Sequence, residues 1–398
     1  MKRRSIMITA AAAALVIAGL AAWQLGSGGT ATTGGATTKG GAATSEGTVQ
    51  KTAPSVWSER ADLAQKELLS SFWNEDRGLF NNAVPCIDQQ CDNPFNYWWL
   101  AHAVDVLTDG YERTGDMQYV KQLDKLYQGL LGRNGGDFIN DYYDDMEWMA
   151  LAWLRAYDAT GDERYQQAAM TLWQDIQTGW NDAVGGGIAW RKSQTDYKNT
   201  PANAPAIILA ARVYEHTKAA ADLEWAKKLY DWEKSNLVDP DTGLVWDGIN
   251  RQGDGAVDKN WLFTYSQGVF IGAGVELYQI TKEQPYLDDA RKTADNLKND
   301  FLSSTTDMLP FEGGDDAGLF KGVLVRYIGE LIKVDPAQKE LREMLLTNAK
   351  ALWEDGKAED KALFSNSWDQ TPDEVVQLST ELSGVMLLEQ AAQVEKQQ

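Results

Sequence analysis

From Pro54 onward, two kinds of amphipathic segment alternate along the chain. The first kind is charged on one face and apolar on the other: Val56 to Phe72, Met117 to Leu131, Glu163 to Thr178, Leu223 to Leu237, Pro285 to Phe301 and Ala337 to Trp353. Apolar residues recurring three and four positions apart mark helices with one wet side. The second kind is apolar around most of its circumference and rich in small and aromatic residues: Tyr97 to Tyr111, Asp145 to Tyr157, Ala204 to Tyr214, Thr264 to Tyr278, Leu319 to Leu331 and Leu378 to Val394. Helices apolar nearly all round are buried ones. The pattern therefore predicts six outer-then-inner helix pairs.

Sequence echoes mark where inner helices end. Tyr111-Glu112-Arg113-Thr114-Gly115-Asp116 resembles Tyr157-Asp158-Ala159-Thr160-Gly161-Asp162, and more distantly Tyr214-Glu215-His216-Thr217 and Tyr278-Gln279-Ile280-Thr281. The Gly suits a left-handed C-cap and the Asp an N-cap for the next outer helix. Six such hairpins closed on themselves make an all-α (α/α)6 barrel; the same hairpins left open make a superhelix. The inner-to-outer joins fall within the roughly 2–8 residues usual between packed helices, whereas most outer-to-inner joins are far longer. Those long joins carry Trp73, Phe80, Trp180, Gly185-Gly186-Gly187-Ile188-Ala189-Trp190, Trp246, Trp261, Phe311 and Trp368, which is not the composition of a disordered tract. They are expected to meet at one mouth, where every inner helix begins.

Inside that mouth stand two consecutive carboxylates, Asp144 and Asp145, at the start of the second inner helix. Two such groups cannot ionise independently, so the pair supplies one carboxylate and one carboxylic acid at the same pH. That combination suits glycoside hydrolysis. The same letters also spell a capping box, with Asp144 as N-cap and Glu147 at N3.

Composition narrows the partners. A net charge of -21 disfavours nucleic acid and anionic membrane surfaces, leaving a neutral ligand as the expectation. Sixteen Trp and fifteen Tyr supply flat faces of the kind on which sugar rings stack. With two histidines and two cysteines in the whole chain, neither a metal site nor a cofactor is expected.

The amino terminus reads as an export signal. Lys2-Arg3-Arg4 precedes an apolar run from Ile6 to about Trp23, so residues 1–25 are expected to be a signal peptide or an N-terminal membrane anchor. Residues 26–52, rich in Gly, Thr, Ala and Ser, are expected to be a flexible linker, and 53–398 the barrel domain. The protein is thus placed outside the cell or held to the outer face of its membrane. In that compartment Cys86 and Cys91 are expected to form a disulfide.

The quoted blocks resemble glycoside hydrolase family 76, whose bacterial members are endo-α-1,6-mannanases built on an (α/α)6 barrel. The resemblance rests on Tyr97-Trp98-Trp99-Leu100-Ala101-His102 with Asp105, and on Tyr143-Asp144-Asp145-Met146 with Trp148. It extends through Gly185-Gly186-Gly187-Ile188 with Trp190, Tyr197-Lys198-Asn199, Thr242-Gly243-Leu244-Val245 with Asp247-Gly248, and Tyr265-Ser266-Gln267-Gly268. It departs at Ser266, where Asn is expected. The resemblance implies that Asp144 is the nucleophile and Asp145 the general acid/base of a retaining reaction on α-1,6-linked mannan, in a monomeric protein. Tyr143, Trp98, Trp99, His102, Trp148, Gly186, Gly187, Trp190, Asn199, Asn203, Asp247, Tyr265 and Gln267 are the candidate sugar contacts, each with a plain structural alternative as core, turn or cap. Two other functions would use the same mouth: a mannan transglycosidase acting on wall glycans, and a catalytically silent mannan-binding surface protein.

Overall fold

The computed structural model describes residues 55–86, 91–303 and 305–396, and the expected signal or anchor and the linker lie outside them. Twelve helices occupy the segments named above: α1 (Val56–Phe72), α2 (Tyr97–Thr114), α3 (Met117–Arg133), α4 (Tyr143–Thr160), α5 (Glu163–Ile176), α6 (Ala204–Thr217), α7 (Ala220–Asn236), α8 (Thr264–Thr281), α9 (Gln284–Asp300), α10 (Phe320–Val334), α11 (Lys339–Glu354) and α12 (Leu378–Glu395). The even-numbered helices form the inner ring. Each packs on the next, and α12 returns to α2, so the ring closes as an (α/α)6 barrel and the open superhelix is excluded.

Closure is reinforced at the mouth by short strands in the long joins. β1 (Trp73–Asn74) pairs with β2 (Leu79–Phe80), while β3 (Ala83–Val84) pairs with β7 (Val376–Gln377), tying the first join to the last. A third sheet, β4 (Ala189–Arg191), β5 (Gln194–Asn199) and β6 (Gly248–Ile249), is antiparallel throughout. Cys86 and Cys91 are disulfide-bonded, with Cα atoms 5.5 Å apart.

The repeated joins share one local design. Gly115 and Gly161 adopt the left-handed conformation and donate their N–H groups to Tyr111 and Tyr157. Lys218 and Lys282 take the same conformation at the matching positions of α6 and α8, without glycine. What all four joins share is the threonine. The hydroxyls of Thr114, Thr160, Thr217 and Thr281 each accept the backbone N–H two residues on, which fixes the turn into the following outer helix.

Along the barrel axis the inner helices are less apolar than their sequences suggest. Arg326 forks onto both oxygens of Asp109 at 2.7 and 3.0 Å, and Arg155 reaches Asp105, Asp109 and Glu112. Burial alone would raise the Asp109 carboxyl, but the Arg326 and Arg155 guanidiniums overcome it and hold it at about 2. These paired ions link the inner helices α2, α4 and α10.

Candidate active site

The first turn of α4 carries the carboxylate pair, but the helix starts two residues earlier than the capping box requires. Its N-cap is Tyr142, whose side chain caps nothing, and Asp144 and Asp145 are the second and third helical residues. The local work is done by Asn140. Its side-chain oxygen accepts the Tyr142 N–H at 3.1 Å and its amide donates to Asp145 Oδ2 at 3.0 Å. Glu147, expected at the cap, instead points into the interior, fully buried, with neither carboxylate oxygen hydrogen-bonded. Burial, and then the Asp144 charge, push its carboxyl well above the usual range.

The strand before α4 is anchored to the third sheet. Tyr142 bridges to Arg191, and the Lys192 N–H donates to the Asp141 carbonyl at 2.8 Å. This docking brings the Trp190 indole N–H to Asp144 Oδ2 at 3.0 Å, while the Asp145 backbone N–H meets Asp144 Oδ1 at 2.9 Å. Asp144 therefore accepts two donors, both of which favour its ionised form. Burial pushes its carboxyl up to about 7 and these two donors oppose the rise. Asp145 is held well above the usual range by burial, then by the Asp144 and Asp316 charges, with only Asn140 opposing. The pair thus differentiates: Asp144 loses its proton first and Asp145 keeps one.

A cavity of about 630 Å³ opens over the two carboxyls. Trp98, Trp148, Phe320 and Tyr265 form one run of touching rings in its wall, and Trp190, Tyr197, Trp261 and Arg251 line it too. The Trp261 ring lies under the Arg251 guanidinium at 4.0 Å. Asp247, reached from the β6 side, accepts the Tyr197 hydroxyl at 3.1 Å and the Tyr265 hydroxyl on its other oxygen. Asp316, on the turn before α10, accepts both the Trp98 and Trp99 indole N–H groups at 2.7 and 2.8 Å. A carboxylate so placed orients a tryptophan wall and adds negative charge facing the pair. Among the described residues no cluster of His, Cys, Asp and Glu is arranged to hold a metal ion.

Of the candidate sugar contacts, Trp98, Trp148, Trp190, Asn199, Asp247 and Tyr265 line this cavity together with Asp144 and Asp145. The others are not among the residues that line it. Trp99 is spent on Asp316. His102 lies beneath the Trp98 and Trp148 rings, 5.4 and 5.1 Å from them, and burial lowers its imidazole to about 4 against the pull of Asp105. Tyr143 is buried against Gly179, with its hydroxyl 3.3 Å from Thr178 Oγ1. Gly186 and Gly187 are glycines because a Cβ would stand 2.7 to 2.9 Å from the Trp180 and Trp232 rings, at positive φ as well. They let the loop lie on Trp232 before it enters β4. Asn203 binds the N–H and C=O of Ile188, and Gln267 binds those of Val245, so both clamp loop backbone rather than face the cavity.

Asp316, Asn140, Tyr142, Arg251, Trp261, Phe263 and Phe320 also shape the site and were not among the candidate sugar contacts, while Tyr197, singled out with Lys198 and Asn199, lines it as well. Most precede inner helices or sit in long joins, which was the available signal. What sequence could not supply was pairing: Asp316 meets Trp98 across 218 residues of chain.

The family description Glycosyl hydrolase family 76 matches residues 56–398. The Lin0763 protein from Listeria innocua is 43% identical in a structural superposition with TM-score 0.82, covering 86% of this chain and 98% of that one. The GH76A alpha-1,6-mannanase from Salegentibacter sp. is 42% identical, with TM-score 0.80, over 85% of this chain and 99% of that one. A variant of that mannanase with two consecutive aspartates replaced by asparagine is inactive and was crystallised with alpha-1,6-mannotriose. Among curated relatives, the mannan endo-1,6-alpha-mannosidase DCW1 of Candida glabrata is 25% identical over 63% of this chain and 61% of its own. The chain thus spans about three fifths of the length of the curated fungal relatives it matches.

Proposed function

The chain belongs to glycosyl hydrolase family 76, and from that premise we propose that it is a retaining, endo-acting α-1,6-mannanase whose chemistry is carried by Asp144 and Asp145. The observation that carries this reading is the unequal hydrogen bonding of the pair. Two donors reach Asp144 and one reaches Asp145. Asp144, the first to ionise, attacks C1 of the mannosyl unit while Asp145 donates its proton to the departing glycosidic oxygen. The product of that step is a mannosyl-aspartate ester. Asp145, now a carboxylate, takes a proton from water as the water oxygen attacks C1, releasing mannose-ended product and regenerating both groups.

Around this centre the aromatic wall of Trp98, Trp148 and Tyr265 offers faces for sugar rings, and Asp247 and Asn199 offer hydrogen-bond acceptors and donors to hydroxyls. The inactivity of the Salegentibacter variant that lacks two consecutive aspartates supports a catalytic role for the consecutive pair here. Export, to the medium or to the outer membrane face, is supported by Lys2-Arg3-Arg4 and the apolar run that follows.

Asp145→Asn is the direct test. Turnover on linear α-1,6-mannan is expected to fall by roughly 10³-fold or more, within and beyond the range usual for a lost general acid, while the fold is kept. Near-normal turnover would remove Asp145 from the mechanism.

A further inference from the structure

A second groove opens on the mouth side of the barrel, between the α9–α10 and α11–α12 joins, with a volume of about 740 Å³. Its lining includes Phe311, Asn366, Gln370, Thr371 and Thr380, and Asp373 is the one charged side chain among the residues that form it. Three observations set it apart from ordinary surface. The Phe311 ring is 65% exposed, the most exposed large apolar side chain among the described residues. Both polar atoms of the Asn366 side chain are buried without a hydrogen-bond partner, a costly state that turning the amide into the groove onto a ligand hydroxyl would relieve. The groove also abuts the catalytic cavity: Gly314 lines one and Asp316 the other, two residues and at most about 7 Å of backbone apart.

An exposed ring beside neutral amides and hydroxyls is the chemistry that recognises an uncharged polyhydroxylated chain. It offers little to a phosphate, a nucleic acid or a basic peptide, for which charged partners would be needed. The ridge between groove and cavity is fixed in place, since Gln377 accepts the Asp315 N–H and donates to its carboxylate, each at 2.7 Å. We infer that this groove is an auxiliary glycan-binding site, in which Phe311 stacks on and Asn366 hydrogen-bonds to a distal stretch of the same α-1,6-mannan chain whose scissile bond lies in the catalytic cavity. The inference rests on the mannanase reading above and extends it to how long chains are held.

The test compares a polymer with an oligosaccharide that fills only the catalytic cavity. In the full chain, Phe311→Ala and, separately, Asn366→Ala are assayed on long linear α-1,6-mannan and on mannotetraose. Phe311→Ala is expected to raise KM for the polymer about tenfold, the loss of one stacked ring, with kcat and all mannotetraose kinetics unchanged. Asn366→Ala is expected to act in the same direction more weakly. Phe311 is exposed, so its replacement does not endanger folding; circular dichroism confirms this for each variant. Polymer KM within twofold of the parent in both variants would overturn the inference, as would equal losses on polymer and mannotetraose. If the unsubstituted chain cleaves neither substrate, the mannanase reading itself fails and the inference with it.

Discussion

Replacing Asp144 by Asn should abolish turnover and, above neutral pH, strengthen the fold relative to the parent. The Asp144 carboxyl is raised from 3.8 to about 7 in the folded chain, chiefly by burial. A carboxyl whose folded pKa exceeds its unfolded one holds its proton in the native state across that window. Its contribution to stability is fully present below the unfolded pKa and is lost as pH rises through the folded one. Each unit corresponds to 1.36 kcal/mol, so between pH 5 and 7 the parent should lose about 2.7 kcal/mol through this group. Asp144 opens onto the cavity and titrates together with Asp145, which reduces the expected figure to about 1–2 kcal/mol.

Asparagine does not titrate and escapes this loss. It also has one acceptor oxygen for two donors, the Asp145 N–H and the Trp190 indole, at a cost of about 1 kcal/mol that does not vary with pH. The slope against pH is therefore the informative quantity. Urea midpoints of parent and Asp144→Asn, measured at pH 5 and pH 8 with the urea m-value checked for constancy, should diverge in favour of the variant by about 1–2 kcal/mol. A difference that is flat with pH, or that moves against the variant, would refute the electrostatic description of the pair.

Trp190→Phe removes one donor from the Asp144 carboxylate, and the acidic limb of kcat/KM should move up by about one pH unit, since a hydrogen bond to a charged group is worth about 1.5–3 kcal/mol; an unmoved limb would mean that the indole does not tune Asp144. Asp316→Asn keeps an acceptor for the Trp98 and Trp99 indoles but deletes a charge that raises both catalytic carboxyls, so both limbs of the pH profile should shift downward together. A shift of neither limb would reduce Asp316 to an orienting role. Arg326→Gln leaves the buried Asp109 with Arg155 as its remaining cationic partner and should cost about 3 kcal/mol in urea unfolding, whereas a cost below about 0.5 kcal/mol would show that the axial ion network is dispensable.

Much of the barrel was legible because a ring of inner helices wrapped by outer ones imposes two distinct hydrophobic patterns, and both survive in the letters. The joins were legible for a related reason, since the Tyr-x-x-Thr echo encodes a turn closed by a threonine hydroxyl. Lys218 and Lys282 in left-handed conformation were not, because lysine carries no signal for it; both are exposed, and the turn is held locally by their N–H bonds to the Tyr214 and Tyr278 carbonyls and by the neighbouring threonine hydroxyls. The carboxylate pair was visible as a pair, yet its cap was misassigned. Asp144 has the right chemistry for an N-cap, but Asn140 and the bridge from Tyr142 to Arg191 start the helix earlier and free Asp144 to face the cavity.

The division between cavity-lining and supporting residues was beyond the sequence for a different reason. Trp98 and Trp99 are adjacent letters on one helix, and only the position of Asp316 decides that both indoles point to one carboxylate. Asn203 and Gln267 carry polar groups suited to sugars, but each side chain is consumed by the backbone of a loop that bears other site residues. Buried amides satisfy nearby peptide groups before they are free for ligands. The charged axis was hidden because Asp105, Asp109, Arg155 and Arg326 are scattered singly through helices that otherwise read as apolar.

The central claim is most directly tested by following the anomeric configuration of the first product by proton NMR while the chain acts on linear α-1,6-mannan. The account predicts short oligosaccharides released initially as the α-anomer, which then mutarotate. Initial release of the β-anomer, or no cleavage of the polymer at all, would contradict it.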